Sequence, residues 1–598
     1  MNIQDMTKFI VLALGLVSLP LFAGLKPARE WNTAKLGAIP DMVQRNTDII
    51  NQAITQCSQA GGGVVTIPPG EYFVKGIYLK SNVTLNLPKG TILRATQVLE
   101  DHIEPKKALF SGRWARCLIF AENAENIRIT GGGIIDGCHV EDKKGEDGIR
   151  GPHTIIFSKC KNVSIDNVEV RRSGNYTLLM MELENAKFES LTITEGWDGI
   201  HLKYCKNVLI DRCRIFTGDD SIAGCYLQNV LISNCTLNTS CNAVRIIGPA
   251  EDFIMKNCYL YGDSVYSHRS NGRKYDTYSA LNFQPGAWGA MPGRLKNIQL
   301  QDLKIHHVRN MFVLYPNKQN QVENITLRNI KATEVGSHAV QLINWEPTSS
   351  MKNIHMENIH VEYRSNVPEK DQMQETVERP WIESANLPVW GFYASNLNGM
   401  TLKNCSFSRK GKDFRRGMLA ENVQNLSVEN VLVDGKKISA AKISEKPIST
   451  PFRIDFIGNN VGRLLPVKSE NVYPMIAPGW AGIAPVLTTA NVSCDTSFKT
   501  YKLAFKPERT GNVTVKLLGH WNNAPENRTW VQYSAVEIKG KNILSPEFHS
   551  QIIRKGKAKF SEDGTICVNH DNTAEFNLPV QGGKVYTIKI TAKNIPAL

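Results

Sequence analysis

The sequence lacks the marks of several protein classes. None of its 13 cysteines stands in a CxxC pair, so the commonest zinc and redox spacings are missing and no metal site is expected. After the apolar run FIVLALGLVSLPLF (9–22) no second run of about twenty apolar residues occurs, so no later membrane span is expected. No stretch of ten or more residues with helical spacing fits between the repeats described below. The composition is not that of a disordered chain either, because 42% of residues are apolar.

The one apolar run is preceded by a short polar segment (1–8) and followed by Ala23-Gly24. That order is the pattern of a secretory signal peptide, here 1–23. No cysteine follows it, so no lipid anchor is indicated. The expectation is a periplasmic or secreted protein. Export also bears on the net charge of +14 and the pI near 9.1. An exported protein rarely meets chromosomal nucleic acid, so the charge points toward an acidic glycan.

At roughly 150 residues per domain, 598 residues allow four domains, but repeats break that rule. One segment type recurs: CKNVSIDNVEV at Cys160, LENAKFESLTI at Leu183, CKNVLIDRCRI at Cys205, LQNVLISNCTL at Leu227 and AEDFIMKNCYL at Ala250. Successive starts are 22 or 23 residues apart. Later copies begin at Leu295, Val322, Met351, Leu397 and Val423, and a partial one at Ala124. Each copy reads as two short alternating strands separated by turn residues. This period, with strands and no helix, predicts an all-β solenoid, a parallel β-helix with one copy per coil. Residues at equal offsets then stack about 4.8 Å apart. The Asn at the third position of most copies predicts an amide ladder. Cysteines at recurring offsets predict stacked, buried, unpaired thiols.

Residues 48–57 have helical spacing and are expected to cap the N-terminal end of the bore. Insertions at 261–294, 337–350 and 364–396 are expected to form loops on one face, the usual binding face of a solenoid. The period stops near Asp434. The predicted organisation is a β-helix over 24–440, a linker packed on it over 441–484, and an antiparallel β-sandwich over 485–598. The last segment carries 15 Lys+Arg against 9 Asp+Glu. Trp521, Trp530 and Tyr533 in it are candidates for stacking on sugar rings, two of them expected in the core instead.

The sharpest local signal is TGDDSIA at 217–223, with WDGIHL at 197–202 one coil earlier. Counted from the copy starts, Asp198 and Asp220 share offset 15 and Asp219 lies beside them. The same column continues as Asn175 before and Asn242 after. Carboxylates about 5 Å apart repel, which raises at least one pKa. A hydrolase has a use for that: one carboxylic acid protonates a leaving oxygen while another carboxylate activates water. At offset 18, His201 and Arg245 are expected to face the same cleft. Ile200, Ile222 and Val244 look inward, so strict alternation would turn the aspartates inward too. Gly199 and Gly218 predict a bend that brings them out.

These motifs, in their order from about residue 36 to 330, resemble glycoside hydrolase family 28, the polygalacturonase family of right-handed parallel β-helices. The likeness runs through GGGVVTIPPGEY, LKSNVTLNLPKGTIL, GGGIIDG, GPHTIIFSKCKNVSI and the GWDG and GDD turns. The resemblance implies Asp219 as general acid, and Asp198 and Asp220 as the pair that holds and activates the water of an inverting hydrolysis without a cofactor. Two departures stand out. Where the family has Gly-His-Gly, this chain has Cys241-Asn242-Ala243; where it has a carboxylate-gripping Arg-Ile-Lys, this chain has Leu281-Asn282-Phe283. Arg245, with His268, Arg269, Arg273 and Lys274 of the 261–294 insertion, is expected to replace the lost positive charge. The expected substrate is therefore a polysaccharide or oligosaccharide, anionic, pectic or sulfated. Two alternatives stay open: a polysaccharide lyase with Arg245 as base and calcium on the aspartates, and a non-catalytic glycan-binding solenoid.

Overall fold

A computed structural model of the chain describes residues 29–595 apart from 41–45, 106–115, 273, 275–276, 288–291, 318, 337, 345–348, 367–386, 388, 414, 446–450, 468–472, 478–485, 491, 494–496, 520–529 and 570. The expected signal peptide, Arg273 and Trp521 lie outside the described residues. Among the described residues no helix is long and apolar enough to cross a membrane.

The repeats from Cys160 to Leu227 make three strands where the alternation showed two, and in the copies from Leu295 to Met351 the first two run together as one long strand. The copy at Cys160 forms Lys161–Asp166, Glu169–Arg171 and Leu178–Met181. The next forms Glu184–Glu189, Thr192–Thr194 and Ile200–Lys203. The third forms Lys206–Asp211, Arg214–Thr217 and Ile222–Cys225. Every strand pairs in parallel with its counterpart one coil on: Val163 with Ala186 and then Val208, Val170 with Ile193 and then Ile215, Leu178 with Ile200 and then Ile222. Three parallel sheets thus wind around one bore, the expected β-helix. The third strand escaped the pattern because both its faces are covered. All four residues of Leu178–Met181 are buried, and such a strand reads as a plain apolar run.

Inward side chains from all three sheets form one continuous apolar core. Its N-terminal end is closed by the helix Thr47–Gln59, whose Ile50, Ala53, Ile54 and Cys57 are buried in it. The described cysteines are free, and all but Cys138 are buried, as the repeat predicts. The amide ladder is present. Each amide donates to the one before it, from Asn126 to Asn82 and on through Asn162, Asn185, Asn207 and Asn229 at 2.8–3.1 Å. These asparagines have φ between 51° and 64°, the left-handed conformation that Asn tolerates better than most residues.

The C-terminal sandwich starts earlier than expected. Pro451–Asn459 and Leu464–Val467 fall in the stretch assigned to a linker, yet they pair antiparallel with Gly511–Gly519 and Lys499–Pro507 in the two sandwich sheets. The alternation of RIDFIG was masked by nearby prolines. The segment 440–445 continues the solenoid: Ile443 is buried in its core and Ser444–Glu445 pairs with Ala420 and Glu421. Trp530 and Tyr533 are buried in the sandwich, and the Tyr533 hydroxyl donates to the Leu518 carbonyl at 3.0 Å. Neither is free to stack on a sugar.

Candidate active site

The three aspartates sit in the turns that enter the third sheet, Asp198 just before Ile200–Lys203 and Asp219-Asp220 just before Ile222–Cys225. Backbone bonds hold the two turns in register, with Gly199 N–H donating to Asp220 O at 2.9 Å. The bend expected at the glycines is there. A Cβ on Gly199 would lie 2.5 Å from Ile215 Cγ2 in the bore, so only glycine lets this position and Ile200 both face inward and frees Asp198 to face out. A Cβ on Gly218 would lie 2.5 Å from the Ser267 carbonyl, so the 261–294 insertion presses directly on the GDD turn.

Each carboxylate has its own partners. Asp198 Oδ2 is 2.8 Å from His201 Nδ1. Asp219 Oδ2 accepts from Arg150 Nη2 at 3.1 Å and lies 3.7 Å from His268 Nε2, while its Oδ1 accepts from the Asp220 N–H. Asp220 Oδ1 accepts from the N–H and the Nδ2 of Asn242 at 3.0 and 2.8 Å, and its Oδ2 is 3.6 Å from Arg245 Nη1. Asn242 is fixed in turn by Asn282, which donates to its Oδ1 at 3.0 Å.

The electrostatics separate the three. Burial, and then the charges of Asp219 and Asp220, push Asp198 well above the usual carboxylate range. Burial also raises Asp220, with Arg245 and Asn242 opposing it. Burial would raise Asp219 as well, but the His268 hydrogen bond and the charges of Arg150, His268 and Arg245 hold it below the usual range. Burial lowers His201 to about 4, so at neutral pH its contact with Asp198 is a hydrogen bond and not an ion pair. The site therefore biases one carboxyl toward its protonated form and another toward its ionised form, the separation that acid–base catalysis uses.

Asp198, Asp219, Asp220, His201, Asn242, Arg245 and His268 are thus gathered at one site. Asn175 is displaced. Pairing puts Tyr176 in the Asp198 column, because the turn between Arg171 and Leu178 is one residue longer than that between Thr194 and Ile200. Asn175 is fully buried; its Oδ1 accepts from Arg150 at 3.5 Å and its Nδ2 donates to the Gly151 carbonyl. It supports Arg150 and cannot meet a substrate. Asn242 is almost as buried and serves to hold Asp220. Arg269 pairs with Glu141 at 2.8 Å, and Lys274 is exposed on the same loop. Of the Leu281-Asn282-Phe283 segment, only Asn282 faces outward toward the site; Leu281 and Phe283 are in the core.

Arg150 was not anticipated. Its guanidinium lies 3.8 Å above the Trp197 ring and 5.6 Å from Tyr176, which stacks on His201 with centroids 4.6 Å apart. The signal for it was spacing. From Ala124 to Cys160 is 36 residues, too long for one coil, so an insertion had to lie near 138–152. An oxygen of Asp219, one of Asp220 and the Cys241 sulfur lie within 4.8 Å of one another, a separation that a cation could bridge. Arg150 and Arg245 already bring positive charge to both carboxylates.

Residues 57–240 match the family Glycosyl hydrolases family 28, which bears out the resemblance read from the motifs. A polygalacturonase of Arabidopsis thaliana is 25% identical over 299 residues, covering 46% of this chain and 64% of that protein. A probable polygalacturonase of Vitis vinifera is 27% identical over 212 residues, covering 32% and 43%. The chain thus matches less than two thirds of the length of these curated relatives. A solved family 28 exopolygalacturonase of Yersinia enterocolitica superposes with a TM-score of 0.47 at 18% identity, over 69% of this chain and 79% of that one.

Proposed function

We propose that this protein is an exported glycoside hydrolase that cleaves an anionic, pectin-like polysaccharide or oligosaccharide by inverting acid–base hydrolysis. The observation that carries the reading is the Asp198, Asp219, Asp220 group, three carboxylates gathered in two adjacent turns held in register, with surroundings that push Asp198 up and Asp219 down. In such a hydrolysis one carboxyl gives its proton to the leaving oxygen as the glycosidic bond breaks. A carboxylate takes a proton from the water that attacks the anomeric carbon from the other face. Arg150 and Arg245 supply positive charge beside the reacting group, which suits a carboxylate or sulfate on the sugar.

Family resemblance gives the acid's part to Asp219, with Asp198 and Asp220 on the water. The charges of the free site instead favour Asp198 as the proton carrier. Aryl glycosides separate the two assignments, because an activated leaving group needs little protonation. The variant that lost the acid, Asp219→Asn or Asp198→Asn, should keep far more of its activity on such a substrate than on the natural one. A lyase is disfavoured: Asp220 raises the Arg245 pKa against the effect of burial, so Arg245 is a poor base. The deciding experiment is digestion of a panel of plant and algal polysaccharides with reducing-end detection. New reducing ends without an ultraviolet-absorbing unsaturated product would support hydrolysis. An unsaturated product would overturn it, and unchanged turnover in Asp219→Asn would overturn the part given to Asp219.

A further inference from the structure

Resting on the hydrolase reading above, a second question is whether the site takes the middle of a glycan chain or its end. A chain bound by its middle must lie in a groove open on both sides of the carboxylates. Here the floor of that groove is the outward face of the third sheet. One outward column runs through His201 and can be followed both ways by strand pairing. Toward the N-terminus it is Leu179, Ile156 and Phe120. Toward the C-terminus it passes Ala223 and Arg245 to Asn282, Val313, Gln341 and Tyr393.

The floor is roofed on both sides. Leu179, Ile156 and Phe120 are buried in an outer apolar cluster with Ile103, which comes from a separate loop. Val313 and Tyr393 are buried in another outer cluster, covered by Leu387 from beyond the insertion after Tyr363. Asn282 and Gln341 are completely buried, although they are polar and point outward. Substrate cannot lie on any of these residues. The opening is confined to the coils around His201.

Two loops wall that opening. The 138–152 segment brings Arg150 onto Asp219 at 3.1 Å, and the 261–272 segment brings His268 to within 3.7 Å of the same oxygen. The loops are tied to each other by Arg269 and Glu141 at 2.8 Å. Both also pack on Trp197, Arg150 over its ring at 3.8 Å and His268 edge-on at 5.2 Å.

We propose that the site is a blind pocket that accepts a glycan terminus and releases one unit of fixed size per cut, and that these two loops set this exo mode. The test is digestion by the wild-type protein of reducing-end-labelled galacturonate hexamer and of the polysaccharide panel, followed from the first few per cent of reaction. The expected result is one small product of constant size from the start, a label that moves down by the same step each time, and little early fall in polymer viscosity. A mixture of internal lengths, with viscosity falling ahead of reducing-end release, would overturn the blind pocket while leaving the hydrolase reading intact. If neither the hexamer nor any panel polysaccharide is cut, the hydrolase reading fails and the exo mode falls with it.

Discussion

Two corners of the same coils respond to stacking in opposite ways. At one, Asn162, Asn185, Asn207 and Asn229 lie one above another and each amide bonds the next. At the other, Asp198 and Asp220 lie one above another with Asp219 beside them, and each has to find a partner elsewhere. The difference is chemical. An amide both donates and accepts, so a column of identical amides satisfies itself. A carboxylate only accepts, so a column of carboxylates repels itself and needs groups from outside. Arg150, His268 and Arg245 are those groups, and the first two arrive on loops that the regular coils do not contain.

That contrast predicts how each corner breaks. The largest effect is expected at the carboxylates. Asp198→Asn should lower kcat by about 10²–10⁴-fold, the usual scale for loss of an acid–base group, with no fall in Tm. A fall in both would make Asp198 a structural residue. Next is Arg150→Ala, which leaves Asp219 without its closest cation. It should cost about 3 kcal/mol of stability, seen in thermal or urea unfolding, and raise the pH at which the site titrates. Unchanged stability would show that His268 and Arg245 suffice. At the amide corner, Asn207→Ala removes two hydrogen bonds and puts alanine at φ 56°, for a cost of about 2 kcal/mol, and should leave kcat of the folded protein unaltered.

The smallest effect is in the pH dependence of stability. Asp198 is raised in the folded state, so from about pH 4 upward the native protein holds a proton that the unfolded chain has released. Stability from this group falls as pH rises through that window. Asp219 is lowered, so its contribution is present above about pH 4 and is lost as pH falls below it. His201 is lowered to about 4, so its contribution is lost as pH falls from about 6.5 toward 4. Asp198→Asn removes the first of these. The Tm of the variant minus that of the wild type should therefore grow between pH 4 and 8; a constant difference would mean that Asp198 is not raised.

Much of the solenoid was legible because its signals are periodic. A repeat of 22–23 residues puts Asn185 above Asn162 and Asp220 above Asp198 whatever the rest of the chain does. The same arithmetic failed at Asn175, where one extra turn residue moved Tyr176 into the column. It also missed third strands such as Leu178–Met181 and Ile222–Cys225, whose buried residues on both faces leave no alternation to see. Pro451–Asn459 reads as linker for a related reason: prolines interrupt the pattern that its antiparallel neighbours complete.

The sequence by itself determined the β-helix, its amide ladder, its cap and the meeting of three aspartates, since each follows from spacing along a repeat. Only the tertiary structure decided what the aspartates meet. Arg150 comes from 69 residues before Asp219, and His268 from 49 residues after it. No period links loops of irregular length to the coils they cover. Their approach is set by packing on Trp197 and by the pairing of Arg269 with Glu141. The charge of each carboxylate, and the closure of the groove around them, follow from those contacts.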